Sequence, residues 1–258
     1  MKKFFSSILF LSCISFYSTN IFSEEEIVKK ERYPLKVAFR PSVMPVGIFS
    51  VKSNVDMTLE SEKINWSIGT DFGIIKNLQA NFTYDGIQLN PFEASSSFCL
   101  GAKYNYSSIN HLSSSISLSM PIQISKTPIT NITLGLPAVI YNDYLAGGVL
   151  HNLFTLTIKP NVAFAFNLPV WIGTQVYENL WIDLTTSFGK IEMLNKNKQA
   201  EWKNTAFWQE LPLSINALYA FNHYFDLSAN FAFTDVFKAN KTVKFGLGID
   251  ARFGRLFS

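Results

Sequence analysis

The chain is poor in the residues that would mark most soluble enzymes or secreted disulfide domains. It has two cysteines and three histidines in 258 residues. Cys13 lies in the N-terminal apolar run, so removal of that run leaves Cys99 alone and excludes an internal disulfide. No Cys/His cluster has metal-ligand spacing, no glycine-rich loop would cradle a phosphate, and no nucleophile elbow is present. After residue 23 no uninterrupted apolar run approaches the ~18 residues of a spanning helix. Charge is sparse at 16%, and the net value of +3 comes from 22 basic and 19 acidic residues. Loss of Lys2 and Lys3 leaves a near-neutral chain, with no basic face for nucleic acid.

What is abundant is alternation. In Lys63 to Leu89 the residues Ile64, Trp66, Ile68, Thr70, Phe72 and Ile74 share one parity, and Asn65, Ser67, Gly69, Asp71 and Gly73 take the other. After Lys76-Asn77 the pattern restarts, with Leu78, Ala80, Phe82 and Tyr84 against Gln79, Asn81, Thr83 and Asp85. A period of two is a strand, because successive side chains leave opposite faces. Strands of this length exceed the usual ~5–6 residues and match the ~9–11 that cross a bilayer at a tilt. Aromatics make up 15% of the chain, the material for two interfacial girdles.

The first residues read as an export signal. Lys2 and Lys3 precede the apolar run Phe4 to Phe16, and Ser23 offers a small residue before Glu24-Glu25-Glu26. Phe10-Leu11-Ser12-Cys13 also has a faint likeness to a lipoprotein signal. Three parts are expected: a signal peptide over 1–23, a periplasmic lead-in over 24–45 that Pro34, Pro41 and Pro45 keep out of regular pairing, and a barrel over 46–258.

Tight polar pairs containing Asn recur before strands: Lys76-Asn77, Asn110-His111, Glu178-Asn179, Asn222-His223 and, least regularly, His151-Asn152. Asn tolerates positive φ, which makes such pairs hairpin signals. They are expected at the periplasmic end, where barrel turns are short. Asn90 to Ser96, Lys190 to Asn204 and Asp235 to Lys241 are the opposing loops, with Lys190 to Asn204 the largest. The pattern predicts an all-β transmembrane antiparallel up-and-down barrel of about 12 strands, with 10 to 14 left open because Pro128, Pro137 and Gly147-Gly148 blur residues 125–160. A soluble sandwich would also alternate, but its polar face would be rich in Lys, Glu and Arg. Here that face is Ser, Gly, Asn and Asp, which suits a confined wet lumen, and lipid outside requires the sheet to close.

In the C-terminal stretch Phe245, Leu247, Ile249, Ala251, Phe253 and Phe257 share a parity. This looks like the closing strand that the barrel-assembly machinery recognises, although Phe257 is penultimate and Ser258 is last. Arg40-Pro41-Ser42-Val43-Met44-Pro45-Val46-Gly47 leading into the first strand, with hairpins on the theme Gly73-Ile74-Ile75-Lys76-Asn77-Leu78, resembles a diffuse group of Gram-negative outer-membrane barrels. Some of that group are described as transporter-like proteins associated with degradation of aromatic compounds. The resemblance implies an outer-membrane barrel and a transport role.

By parity the lumen set is Asp71, Lys103, Asp183, Glu210, Asp226, Lys244, Asp250 and Arg252. Rings of charge tune solute selectivity, while the same residues could instead pair and fill the bore; both readings stand at this point. Trp171 and Trp208 fall on the inward parity, where they could stack a substrate, unless a one-residue slip turns them to the lipid. His111, His151 and His223 lie in or beside the presumed periplasmic turns, and a turn role explains them better than the Ser-His pairing an outer-membrane hydrolase needs. The expected function is a channel or transporter-like porin for small solutes, without catalysis, cofactor or metal. A non-conducting scaffold or surface-binding barrel is the alternative, and a lipid hydrolase a third. Expected partners are outer-membrane lipid, the assembly machinery and small solutes.

Overall fold

The structure, a computed structural model, describes residues 33–254 except 91, 95–96, 110, 124–128, 130, 159–161, 197–198, 206–208 and 238–241. It contains one 3₁₀ turn, Val37–Phe39, followed by strands β1 (Ile48–Thr58), β2 (Lys63–Ile75), β3 (Leu78–Asn90), β4 (Phe92–Ala94), β5 (Ser97–Ile109), β6 (Leu112–Gln123), β7 (Asn131–Gly135) and β8 (Ala138–Tyr141). The chain continues with β9 (Leu145–Val149), β10 (Phe154–Thr157), β11 (Ala163–Tyr177), β12 (Leu180–Lys196), β13 (Gln199–Thr205), β14 (Leu213–Asn222), β15 (Phe225–Phe233) and β16 (Val243–Gly254).

All pairings are antiparallel except one isolated bridge, and β16 returns to β1 to close the sheet. The segments form twelve staves. β7 and β8 are one stave, interrupted at Leu136-Pro137; β9 and β10 are a second; β13 and β14 are a third; β4 folds back on the end of β3 outside the ring. The expected all-β barrel of about 12 strands is the fold observed.

The faces follow the alternation. Phe72, Ile74, Leu247, Ile249 and Phe253 project outward, while Gly69, Asp71, Gly73, Gly246, Gly248 and Arg252 are buried on the inner side. Lipid on one side and water on the other require this division, and closure leaves no unpaired edge in the hydrocarbon.

The blurred middle of the sequence has a specific cause. Pro137 cannot donate a ladder hydrogen bond, yet its carbonyl still accepts from Ser115 N at 2.9 Å, so the register to β6 continues through it. In the next stave, Ala138 pairs with Val149 and Leu134 with Phe154, so four residues of one stave face five of the other. The extra residue is a bulge at 150–153, with positive φ at Leu150 (67°) and Asn152 (53°). It switches parity: Leu145 and Leu156 both face out although eleven positions separate them. His151-Asn152 is therefore a bulge within a stave and not a hairpin turn. The turn of that pair lies at Asn142 to Tyr144, where the Asn142 side chain accepts from the N–H groups of Tyr144 (2.9 Å) and Leu145 (2.7 Å).

Two expected loops carry strand structure. Lys190 to Asn204 is a ladder extension in which β12 and β13 pair from Lys190↔Thr205 to Lys196↔Gln199. Phe92–Ala94 pairs with Ile87 to Leu89. Phe257 and Ser258 lie outside the described residues, as do residues 1–32 with the expected signal.

Candidate functional site: a charged lumen and its N-terminal plug

Residues 33–47 do not hang away from the barrel. They fold against its inner face at the end where the turns are short. The segment has no strand period, so it docks by single contacts to inward side chains. Gln175 Oε1 accepts from Val37 N at 2.8 Å and Ala38 N at 3.5 Å. Gln79 Oε1 accepts from Met44 N at 2.7 Å. Ala38 packs on Ala146 and Trp181, and Tyr33 and Met44 pack on Ile48. These anchors sit on β1, β3, β9, β11 and β12, so the segment spans the bore. Gly73 on β2 lets it pass: a Cβ there would stand 2.0 Å from Pro45 O and 2.5 Å from Met44 O.

Charge fixes the same segment. The Arg40 guanidinium meets the Asp226 carboxylate through Nη1–Oδ2 at 2.5 Å and Nη2–Oδ1 at 2.9 Å. Arg252 approaches the same carboxylate from its own stave at 2.6 and 2.7 Å. The Asp226 and Arg252 side chains are each 1% exposed. A buried carboxylate needs such company, because an isolated one would cost several kcal/mol in desolvation, on the order of the whole stability of a small domain. Arg40 also donates Nε to Pro34 O at 3.1 Å, which ties its own segment into a loop. The Tyr33 ring lies under both guanidiniums, 4.5 Å from Arg252 Cζ and 5.3 Å from Arg40 Cζ. Burial pushes the Tyr33 phenol up from its ordinary value, so it stays neutral there.

The charges continue round the bore in register. Asp226 on β15 stands opposite Asp250 on β16, and Asp250 opposite Lys52 on β1. Lys52 Nζ reaches Asp71 Oδ2 on β2 at 2.5 Å. Like charges opposite each other repel, so Asp226 and Asp250 coexist only through the cations on either side. Arg252 lies 3.7 Å from Asp250, so its main partner is Asp226 on the neighbouring stave and not the carboxylate two residues before it.

Of the lumen residues expected from sequence, Asp71, Asp226, Asp250 and Arg252 belong to this girdle. Lys103 and Asp183 line a cavity of about 540 Å³, together with Arg40, Asn105, His151 and Trp171. Lys244 shares the inward parity of β16 towards the opposite end. Glu210 lies outside the staves, exposed in the connection between β13 and β14. Trp171 is inward, as expected, and Trp208 lies outside the described residues. Lys52, Gln79, Gln175 and Arg40 were missed. Lys52 had a signal, since it shares the parity of Ser50, Asn54 and Asp56; Arg40 had none, because no periodicity assigns a face to a coil.

The histidines have separate partners. His151 Nε2 accepts from Trp171 Nε1 at 2.7 Å, His223 Nδ1 lies 2.7 Å from Tyr33 O, and the His111 ring meets Tyr141 edge-on at 6.0 Å. Among the described residues no cluster of three or more His, Cys, Asp or Glu could hold a metal.

A second cavity of about 340 Å³ is lined by Asn54, Asp56, Ser67, Asn216, Ser228 and Asn230, among others. Asp183 lines both cavities. Its carboxylate accepts from Asn216 Nδ2 at 2.6 Å, Trp181 Nε1 at 3.0 Å and Thr185 Oγ1 at 3.4 Å.

No protein-family model and no curated protein matches the chain. Solved barrels do. The NanC porin aligns over 78% of this chain and 98% of its own, at 7% identity and a TM-score of 0.55. The KdgM porin aligns over 79% and 99% at 11% identity and 0.53, and one structure of it is a complex with disordered oligogalacturonate. An outer membrane channel from Pseudomonas putida F1 aligns over 88% and 100% at 11% identity and 0.50. The shared property is the fold: this chain is an outer-membrane-type β-barrel.

Proposed function

We propose that the protein is an outer-membrane channel for small solutes, exported by its N-terminal segment and narrowed at the periplasmic end by residues 33–47. The observation that carries this reading is the bore: a closed ring of twelve staves, apolar outside and polar inside, with two cavities that share Asp183 as a lining residue. The short-turn end faces the periplasm by the rule for such barrels, which puts the plug there. The fold shared with the KdgM and NanC porins supports a channel without covalent chemistry, and so does the separate engagement of the three histidines. Oligogalacturonate, held by a KdgM porin, is a solute of the porin type; with the plug docked, the bore here suits compact solutes.

One observation favours the second reading, a barrel that does not conduct at rest: the doubly paired Asp226 holds the plug across the bore. Single-channel recording of the mature chain in a planar bilayer separates the two. Discrete steps, with ion selectivity altered by Lys244→Gln, support an open path. Silence from protein shown to be folded by its heat-shifted gel mobility would sink the resting channel and leave a plug that must be released.

A further inference from the structure

We propose that the cavity above the plug is a binding site for a compact organic carboxylate with a flat or apolar body, held by Lys103 and laid against Trp171. The inference rests on the channel reading only for how the solute arrives.

The cation comes first. Lys103 on β5 points into the lumen and pairs in register with Gln79 and Ser117, neither of them charged. Asp71 is close enough to act on it electrostatically, but that carboxylate is engaged by Lys52 at 2.5 Å. Among the described residues no carboxylate lies within ion-pair distance of Lys103. Arg40 also lines the cavity, yet its guanidinium is committed to Asp226. Among the described residues that line the cavity, Lys103 is thus the cation with no carboxylate partner.

Next come polar groups without partners. Asn105 is 8% exposed and Ser113 is 6% exposed; both line the cavity, and Asn105 Oδ1 and Ser113 Oγ have no hydrogen-bond partner. Ser42 Oγ, from the plug, is buried and unpartnered at the same cavity. Buried polar atoms are normally satisfied; these three have almost no accessible surface, so a ligand in the cavity reaches them only if the side chains around them shift. Hydroxyl and amide groups beside an ammonium suit a carboxylate. The opposing carboxylate, Asp183, already accepts from three donors and has little capacity left for a ligand cation.

The body of the ligand is set by the wall. Trp171 is held flat by its bond to His151 and by Gly148, where a Cβ would stand 2.4 Å from Trp171 Nε1. Trp181 meets it edge-on at 6.4 Å, and Ala38 covers Trp181 from the plug side. A ring seated on Trp171 gains offset stacking beyond its buried area. A single free ammonium with neutral donors around it suits a monoanion; a phosphate dianion would call for a second uncommitted cation.

Isothermal titration of the mature chain, folded in detergent, with benzoate and with its neutral isostere benzamide tests the site. Benzoate is expected to bind at least tenfold more tightly than benzamide. Lys103→Met should remove that preference and Trp171→Ala should weaken both ligands, while Lys63→Gln, far from the cavity, should change neither. Equal affinity for the two ligands in the unmutated protein would overturn the proposal, as would undiminished benzoate affinity in folded Lys103→Met. Bilayer recordings on the same preparations keep the two readings apart. Benzoate binding with no conductance keeps the site and sinks the resting channel; conductance steps without benzoate binding do the reverse.

Discussion

Arg40, just after the 3₁₀ turn Val37–Phe39, holds Asp226 across 186 residues of chain, with Nη1 and Oδ2 2.5 Å apart. This contact joins the coil that precedes the barrel to the fifteenth strand, and it makes the plug part of the folded unit. Arg40→Met should release the plug without disturbing the ring, because Asp226 keeps Arg252. A hydrogen bond between charged groups contributes ~1.5–3 kcal/mol, so the undocked population should rise roughly tenfold to a hundredfold. Hydrogen exchange read by mass spectrometry should show residues 33–47 exchanging faster while β14 to β16 stay protected. Unchanged protection of 33–47 would mean that Gln175 and Gln79 hold the plug alone.

Asp226→Asn should be far more damaging than Arg40→Met. Among the described residues it removes the only carboxylate in direct contact with Arg40, and it leaves two guanidiniums facing each other inside the ring. Breaking a buried ion pair from one side costs ~3–5 kcal/mol. The midpoint of the heat-induced gel-mobility shift should fall well below that of the unmutated protein. A double change, Arg40→Met with Asp226→Asn, should recover part of the loss, because one of the stranded cations is gone.

Gly73→Leu tests the same docking without touching charge. The new side chain would meet the backbone carbonyls of Met44 and Pro45, which cannot move aside as a flexible side chain would. The plug must leave, so residues 33–47 should become cleavable by added protease and bilayer conductance should rise. A barrel that assembles with a protected plug would contradict the contact at Gly73.

The ring was legible in the sequence because lipid and water impose opposite demands on alternate residues. Ile64 to Ile74 and Phe245 to Phe253 declare their faces without help from any distant residue. The same logic reached Asp71, Asp226, Asp250 and Arg252, though not their pairing, since only contact between neighbouring staves turns Arg252 towards Asp226. Glu210 was assigned by carrying parity through a stretch that is not strand. The plug was illegible for a deeper reason. Its residues answer to single acceptors, Gln175 and Gln79, supplied from more than a hundred and from thirty-five residues away, and no local pattern encodes such contacts.

The bulge at 150–153 gives the sharpest test of how face and register are linked. Asn152 has φ 53°, which Asn and Gly accept and a β-branched residue resists. Asn152→Gly should leave the heat-shift midpoint nearly unchanged, while Asn152→Val should lower it, since a left-handed backbone costs such residues ~1–2 kcal/mol. Deletion of Asn152 should do something different in kind. Without the extra residue the stave would keep one parity throughout. Phe154 and Leu156 would then turn into the lumen, and Thr155 and Thr157 would face lipid in their place. The Thr133 Oγ1 to Thr155 Oγ1 contact of 3.2 Å inside the bore would be lost with them. The deleted chain should therefore fail to give a heat-modifiable barrel in detergent. Assembly with normal mobility would show that the neighbouring staves can slip to absorb the missing residue, and that the bulge is not what sets the faces on either side of it.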